Sequence, residues 1–157
     1  MEKELKEKDI SKGLESLTLY NMSITVANLE SAIKWYSTIL NFNLIAQTSF
    51  QMPGGKVTAA LISGAGVKIE LLNIPNNRRI CDLFAPAPYH LIPIGSKTIV
   101  FQVDDIKKAS EELEAKGVRF VWREKYHTED DKFCSMIEDM DGNKVNIFQR
   151  NIKSSKF

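Results

Sequence analysis

The strongest constraint on the fold of this chain is an internal repeat. SITVANLESAIKWY, around Val26, is echoed about 77 residues later by IVFQVDDIKKASEEL, around Val103. In each copy an apolar-alternating run meets an Asn or Asp and passes into a segment of helical period. Leu29, Ala32, Ile33 and Tyr36 are matched there by Ile106, Ala109, Ser110 and Leu113. The register returns at the end of each half, where VKIELLN at 67–73 is answered by NKVNIFQ at 143–149 and Glu70 falls opposite Asn146. A module this short cannot bury its apolar face alone, so two copies must pack and form a shared site between them.

Each half reads as strand, helix and three strands. From Leu17 to Val26 residues alternate, with Tyr20, Met22, Ile24 and Val26 on one face and Leu19, Asn21, Ser23 and Thr25 on the other. Asn28 caps a helix that buries Leu29, Ala32, Ile33, Tyr36 and Leu40 and ends near Asn41, a residue that tolerates the left-handed conformation. Strands follow at 43–50, 56–63 and 67–73, separated by Pro53-Gly54-Gly55 and Gly64-Ala65-Gly66. The second half has a strand over Thr98 to Val103, a helix capped by Asp104 or Asp105 that ends at Lys116 before Gly117, and strands at 119–123, 132–138 and 143–149. Asp141-Gly142 turns its last hairpin. The expected organisation is a charged leader at 1–15, a first βαβββ module at 16–75, a connection at 76–97, a second βαβββ module at 98–150 and a tail at 151–157. The fold class is α+β. Pro75, Pro86, Pro88 and Pro93 keep the connection irregular, and it reads as a linker that lets the halves pair, with a lid over the site as the alternative.

Charge and composition exclude other classes. The 21 basic and 20 acidic residues are spread through the chain and leave a net charge of +1, so no electrostatic footprint for nucleic acid is present. The opening MEKELKEKDISK is charged where a secretory signal would be apolar, and no apolar run approaches the roughly 20 residues of a membrane span, so a cytoplasmic location is expected. Cys81 and Cys134 lack CxxC spacing and are expected to be free thiols.

The pattern SITVANLESAIKWYSTILNFNL, the VKIELL strand and the closing DMDGNKVNIF resemble the vicinal oxygen chelate superfamily, which contains glyoxalase I, methylmalonyl-CoA epimerase, extradiol dioxygenases and bleomycin-resistance binding proteins. The resemblance spans about residues 17–150. It implies paired βαβββ modules whose curved mixed sheets form a cup around a small-molecule ligand, and a homodimer. It also implies that metal-using members place ligands at positions that fall here on Asn21, Glu70, Thr98 and Asn146. A divalent Zn, Ni, Fe or Mn site wants imidazole, carboxylate or thiolate donors, and only Glu70 supplies one. No cofactor is expected; the alternative is an unconventional divalent metal held at Glu70.

Alternation turns Asn21, Ser23, Thr98, Val100 and Gln102 toward the cup, and the matching last strands add Glu70, Leu72, Asn146 and Phe148 as ligand-binding candidates. Glu70 has two readings. In one, a carboxylate raised in pKa by an apolar cup removes a proton beside a carbonyl, as the base of an isomerase or lyase would. In the other, it is a bonded acceptor, held by Asn146, Asn21 or Thr98, or paired with Lys68 or Lys144. An enolate would lack a stabiliser without a metal or oxyanion donors, which favours the second.

Other candidates have plainer alternatives. His90 and His127 lie outside the ligand positions, His90 packing or hydrogen-bonding locally and His127 at the rim. Asp139-Met140-Asp141-Gly142-Asn143 starts like a calcium loop, but Lys144 replaces the sixth-position Gly and Arg150 the twelfth-position Glu, so it reads as a hairpin turn. Arg78 and Arg79 with Lys56 and Lys97 could grip an anionic substrate or be solvated loop charge. Cys134 reads as a small apolar filler, Trp35 as a residue off the buried helix face that could meet a partner subunit, and Trp122 as facing the cup or that subunit. Two function classes follow: a metal-independent binder of a small, largely apolar organic molecule, or a lyase, isomerase or dioxygenase-like enzyme working through Glu70.

Overall fold

The computed structural model describes residues 13–128 and 131–150. The leader up to residue 12 and the tail at 151–157 lie outside the described residues. The first half contributes β1 (Met22–Thr25), α1 (Leu29–Leu40), β2 (Asn43–Met52), β3 (Gly55–Gly64) and β4 (Val67–Asn73). The second contributes β5 (Thr98–Val103), α2 (Ile106–Ala115), β6 (Phe120–His127), β7 (Lys132–Glu138) and β8 (Lys144–Gln149). They form two mixed four-stranded sheets, ordered β1-β4-β3-β2 and β5-β8-β7-β6. In each, the first strand runs parallel to the last and the other pairs are antiparallel. This is the expected α+β architecture of two βαβββ units, with sheets that curve but do not close.

Local chemistry explains the element ends. The Asn28 side chain accepts from the Ser31 amide at 2.9 Å, and Asn41 ends α1 at φ 58°. Asp105, rather than Asp104, caps α2, accepting from the Lys108 amide at 3.0 Å. The first strand is shorter than the alternation from Leu17 predicts. Its pairing with β4 begins at Met22 against Ile69, and without a neighbouring strand to bond, Leu17, Leu19 and Tyr20 stay exposed. Between the halves, residues 74–97 hold only two short 3-10 turns, Cys81–Phe84 and Tyr89–Leu91.

Each helix packs on one face of its own sheet. Under α1, Val26, Tyr36, Phe42, Ile62, Ile69 and Leu71 are buried; under α2, Ile106, Leu113, Ile137, Val145 and Ile147 are. The two clusters are joined through Trp35 and Leu40 of α1, which touch both, and through Phe42, whose ring centroid lies 6.2 Å from that of Phe101. Trp35 thus fills the junction within one chain. Polar bonds reinforce the junction: Tyr36 Oη donates to Asp139 Oδ2 at 3.1 Å, the Ala27 amide donates to Asp141 Oδ2 at 3.1 Å, and Lys116 Nζ donates to the Ile39 carbonyl at 3.0 Å.

Close packing also explains Gly64, at the end of β3. A Cβ there would lie 2.7 Å from Cγ of the buried Phe42 ring. Gly64→Ala is therefore expected to destabilise the chain by about 1–3 kcal/mol through overpacking, read as a lower urea midpoint with an unchanged m-value.

Candidate functional site

The strand registers decide which side chains share a face. Ser23 sits opposite Glu70 and Thr25 opposite Leu72, while Ile69 and Leu71, one residue off, are buried beneath α1. In the second sheet Thr98, Val100 and Gln102 sit opposite Lys144, Asn146 and Phe148, with Cys134 and Met136 beside them on β7. Alternation then places all of these away from α2. The free edges of β1 and β5 border two cavities that share Met22, Thr98 and Ile99. The larger, of about 850 Å³, is walled by Met22, Val67, Val100, Phe101 and Phe148, with Gln102, Lys132 and Arg150 as polar groups. The smaller, of about 340 Å³, is bordered by Ser23, Tyr36, Ser96, Lys97, Asn143 and Lys144.

The candidate residues distribute unevenly over this arrangement. Thr98, Val100, Gln102 and Phe148 line the larger cavity, and Ser23 and Thr98 the smaller. Glu70 is half-buried and borders neither; its Oε2 accepts from Ser23 Oγ at 2.8 Å. Its bonded partner is thus Ser23, brought opposite by the parallel register, rather than Asn21, Thr98, Asn146 or a lysine. Leu72 and Asn21 are half-buried and line neither cavity. Asn146 is half-buried, and its Oδ1 is sealed from solvent without a hydrogen-bond partner.

Side chains outside the candidate set lie beside these residues. Lys144 lies on the same face as Asn146 and Phe148, a position that alternation through NKVNIFQ makes readable. His127 sets its ring edge against Phe148, the centroids 5.7 Å apart. Trp122 pairs with Met136 in the register, and its Nε1 donates to the buried Cys134 Sγ at 3.4 Å. Cys81 is exposed, and both thiols are free.

The turn after β7 is structural. Asp139 Oδ1 accepts from the amides of Asp141 and Asn143 at 2.9 and 2.8 Å, and its Oδ2 from Asn143 Nδ2 at 2.8 Å and from Tyr36 Oη. Burial pushes this carboxyl up, against the lowering effect of those four bonds. Tyr36 is likewise pushed up, by burial first and then by the Asp139 charge.

The four positions at which the resemblance places metal ligands hold one carboxylate, two amides and a hydroxyl, and the carboxylate is already bonded by Ser23. Among the described residues no three His, Cys, Asp or Glu side chains are grouped to hold a metal ion. A donor set of this kind does not fit a resident transition metal.

Solved structures of several bacterial proteins share this fold. A glyoxalase family protein from Enterococcus faecalis superposes with a TM-score of 0.69 at 14% identity, covering 84% of this chain and 97% of that one. One from Bacillus cereus gives 0.66 at 21% identity, covering 91% and 98%. An antibiotic binding protein from Streptomyces sp. CB03234 gives 0.57 at 19% identity, covering 86% and 97%. No curated protein sequence matches the chain. No helix among the described residues is long and apolar enough to cross a membrane. The family model of the Glyoxalase/Bleomycin resistance protein/Dioxygenase superfamily matches residues 18–147, on the same repeated strand and helix pattern that builds the two sheets. The chain belongs to that superfamily.

Proposed function

We propose that this chain is a metal-independent binding protein that holds a small, largely apolar organic molecule between its two sheets. The observation that carries the reading is the larger cavity. Its size lies within the roughly 300–1,000 Å³ of small-molecule sites, and apolar side chains outnumber polar ones in its lining. The antibiotic binding protein of the same fold lends support. The enzyme alternative asks Glu70 to act as a base, yet Glu70 borders neither cavity and its carboxylate is engaged by Ser23.

The proposal extends to a homodimer. All ten residues of β2 are exposed, Leu44, Ile45, Phe50 and Met52 among them, and Val100 of β5 is exposed as well. Apolar surface of this kind is commonly covered by a partner.

Binding of uncharged 2-naphthamide, followed by calorimetry, is expected in the wild type and should survive Glu70→Gln nearly unchanged. Addition of Zn, Ni, Mn or Fe(II) should leave the melting temperature where it was. Saturable stabilisation by one of these metals that Glu70→Gln abolishes would overturn the metal-independent reading.

A further inference from the structure

Two lysines border the smaller cavity with too few acceptors for their burial, and His90 lies within electrostatic reach of both. Lys97 Nζ is sealed from solvent and has no hydrogen-bond partner. His90, in the turn Tyr89–Leu91 of the connection, is 2% exposed, and neither ring nitrogen has a partner. Lys144 is 3% exposed and meets only the Glu138 carboxylate, at 3.6 Å, which is shared with Arg119. The basicity of His90 is depressed by its burial and then by the charges of Lys144 and Lys97, so both lysines lie within electrostatic reach of this ring. Nearby carboxylates are committed elsewhere: Asp139 to its turn and Tyr36, Glu70 to Ser23. A buried ammonium without a counter-charge is costly, and an anion in the cavity that both lysines border removes that cost.

We infer that the ligand is an organic acid, its carboxylate or similar oxyanion held between Lys97 and Lys144 and its apolar body in the larger cavity. The two cavities share Met22, Thr98 and Ile99, which places the charged and apolar ends of one molecule side by side. Ser96, Thr98 and Asn143 supply further polar groups around the anion. The inference rests on the reading of the gap as a ligand site and adds the ligand's charge.

The test compares 2-naphthoate with the isosteric but neutral 2-naphthamide, on the full chain at matched ionic strength, with inorganic phosphate as a third probe. One charge-assisted contact predicts that 2-naphthoate binds roughly tenfold to a hundredfold tighter than the amide. Lys97→Met should erase that preference while leaving the unliganded protein at least as stable, since it removes an unpaired buried charge. Equal affinity for acid and amide would overturn the anion site and leave the binding reading standing. Stabilisation by phosphate that depends on Lys97, with neither naphthalene bound, would overturn both the organic-acid ligand and the binding reading, leaving an ion site. The wild-type comparison decides the matter if Lys97→Met does not fold, and Lys144→Met then serves as the second variant.

Discussion

Asp139→Ala is expected to destabilise the chain by about 3 kcal/mol, read from urea unfolding at neutral pH. The buried carboxylate accepts four hydrogen bonds, and truncation leaves the Tyr36 hydroxyl, buried in the first cluster, without an acceptor. It also releases the turn whose Asp141 holds the Ala27 amide, so the loss falls on the junction between the sheets. Asp139→Asn should cost much less, because an amide oxygen can keep the two backbone donors. The pair of variants also reports on pH. Burial raises the Asp139 carboxyl above its ordinary value of 3.8, so the protonated form is the one that folding favours. The stabilisation from this group is complete below pH 3.8 and is lost as pH climbs through the raised value. The stability of wild type relative to Asp139→Asn should therefore decline on going from acid toward neutral pH. A constant or rising difference would show that the hydrogen bonds outweigh the burial.

Leu71→Ala should cost about 3–5 kcal/mol and lower the melting temperature by roughly 6–20 °C. Leu71 is fully buried between β4 and α1, where Val26, Tyr36 and Ile69 leave little room for the cavity to collapse. The transition should remain single in calorimetry and in tryptophan fluorescence. Trp35 and Leu40 belong to the packing of both clusters, so loosening the first cluster loosens the second. Two separated transitions would show that the sheets unfold independently and that the α1 junction contributes little.

The fold was legible because the repeat supplied two independent readings of one pattern. Period-2 runs ending in Asn28 or Asp105, helices closed by Asn41 or Gly117, and Gly-rich turns agree in both halves with the observed elements. The alternation over Leu17–Asn21 predicts strand that the structure begins only at Met22, because alternation carries no information about whether a partner strand lies alongside. The site was legible only by face. Alternation correctly groups Ser23 with Glu70 and Thr98 with Asn146, but which of these border a cavity depends on how two sheets sit against each other. That placement is set by Trp35, Phe101 and the Asp139 turn, contacts between residues far apart in the chain. For Lys97 the sequence leaves an anion grip and solvated loop charge both open, because a lysine beside Ser96 and Gly95 has no periodic signature of burial; its ammonium is sealed from solvent at the border of the smaller cavity.

The junction also bears on how the two halves came to depend on each other. Its bonds are not reciprocal: the β7–β8 turn offers Asp139 and Asp141 to Tyr36 and Ala27, while the matching β3–β4 turn is Gly64-Ala65-Gly66, and Leu113 stands where the repeat places Tyr36. A pair of identical first halves would have the tyrosine and no acceptor, and a pair of identical second halves the acceptor and no tyrosine. The joint is thus a division of labour between the copies, each holding a part that the other lacks, so neither copy can rebuild it by self-association.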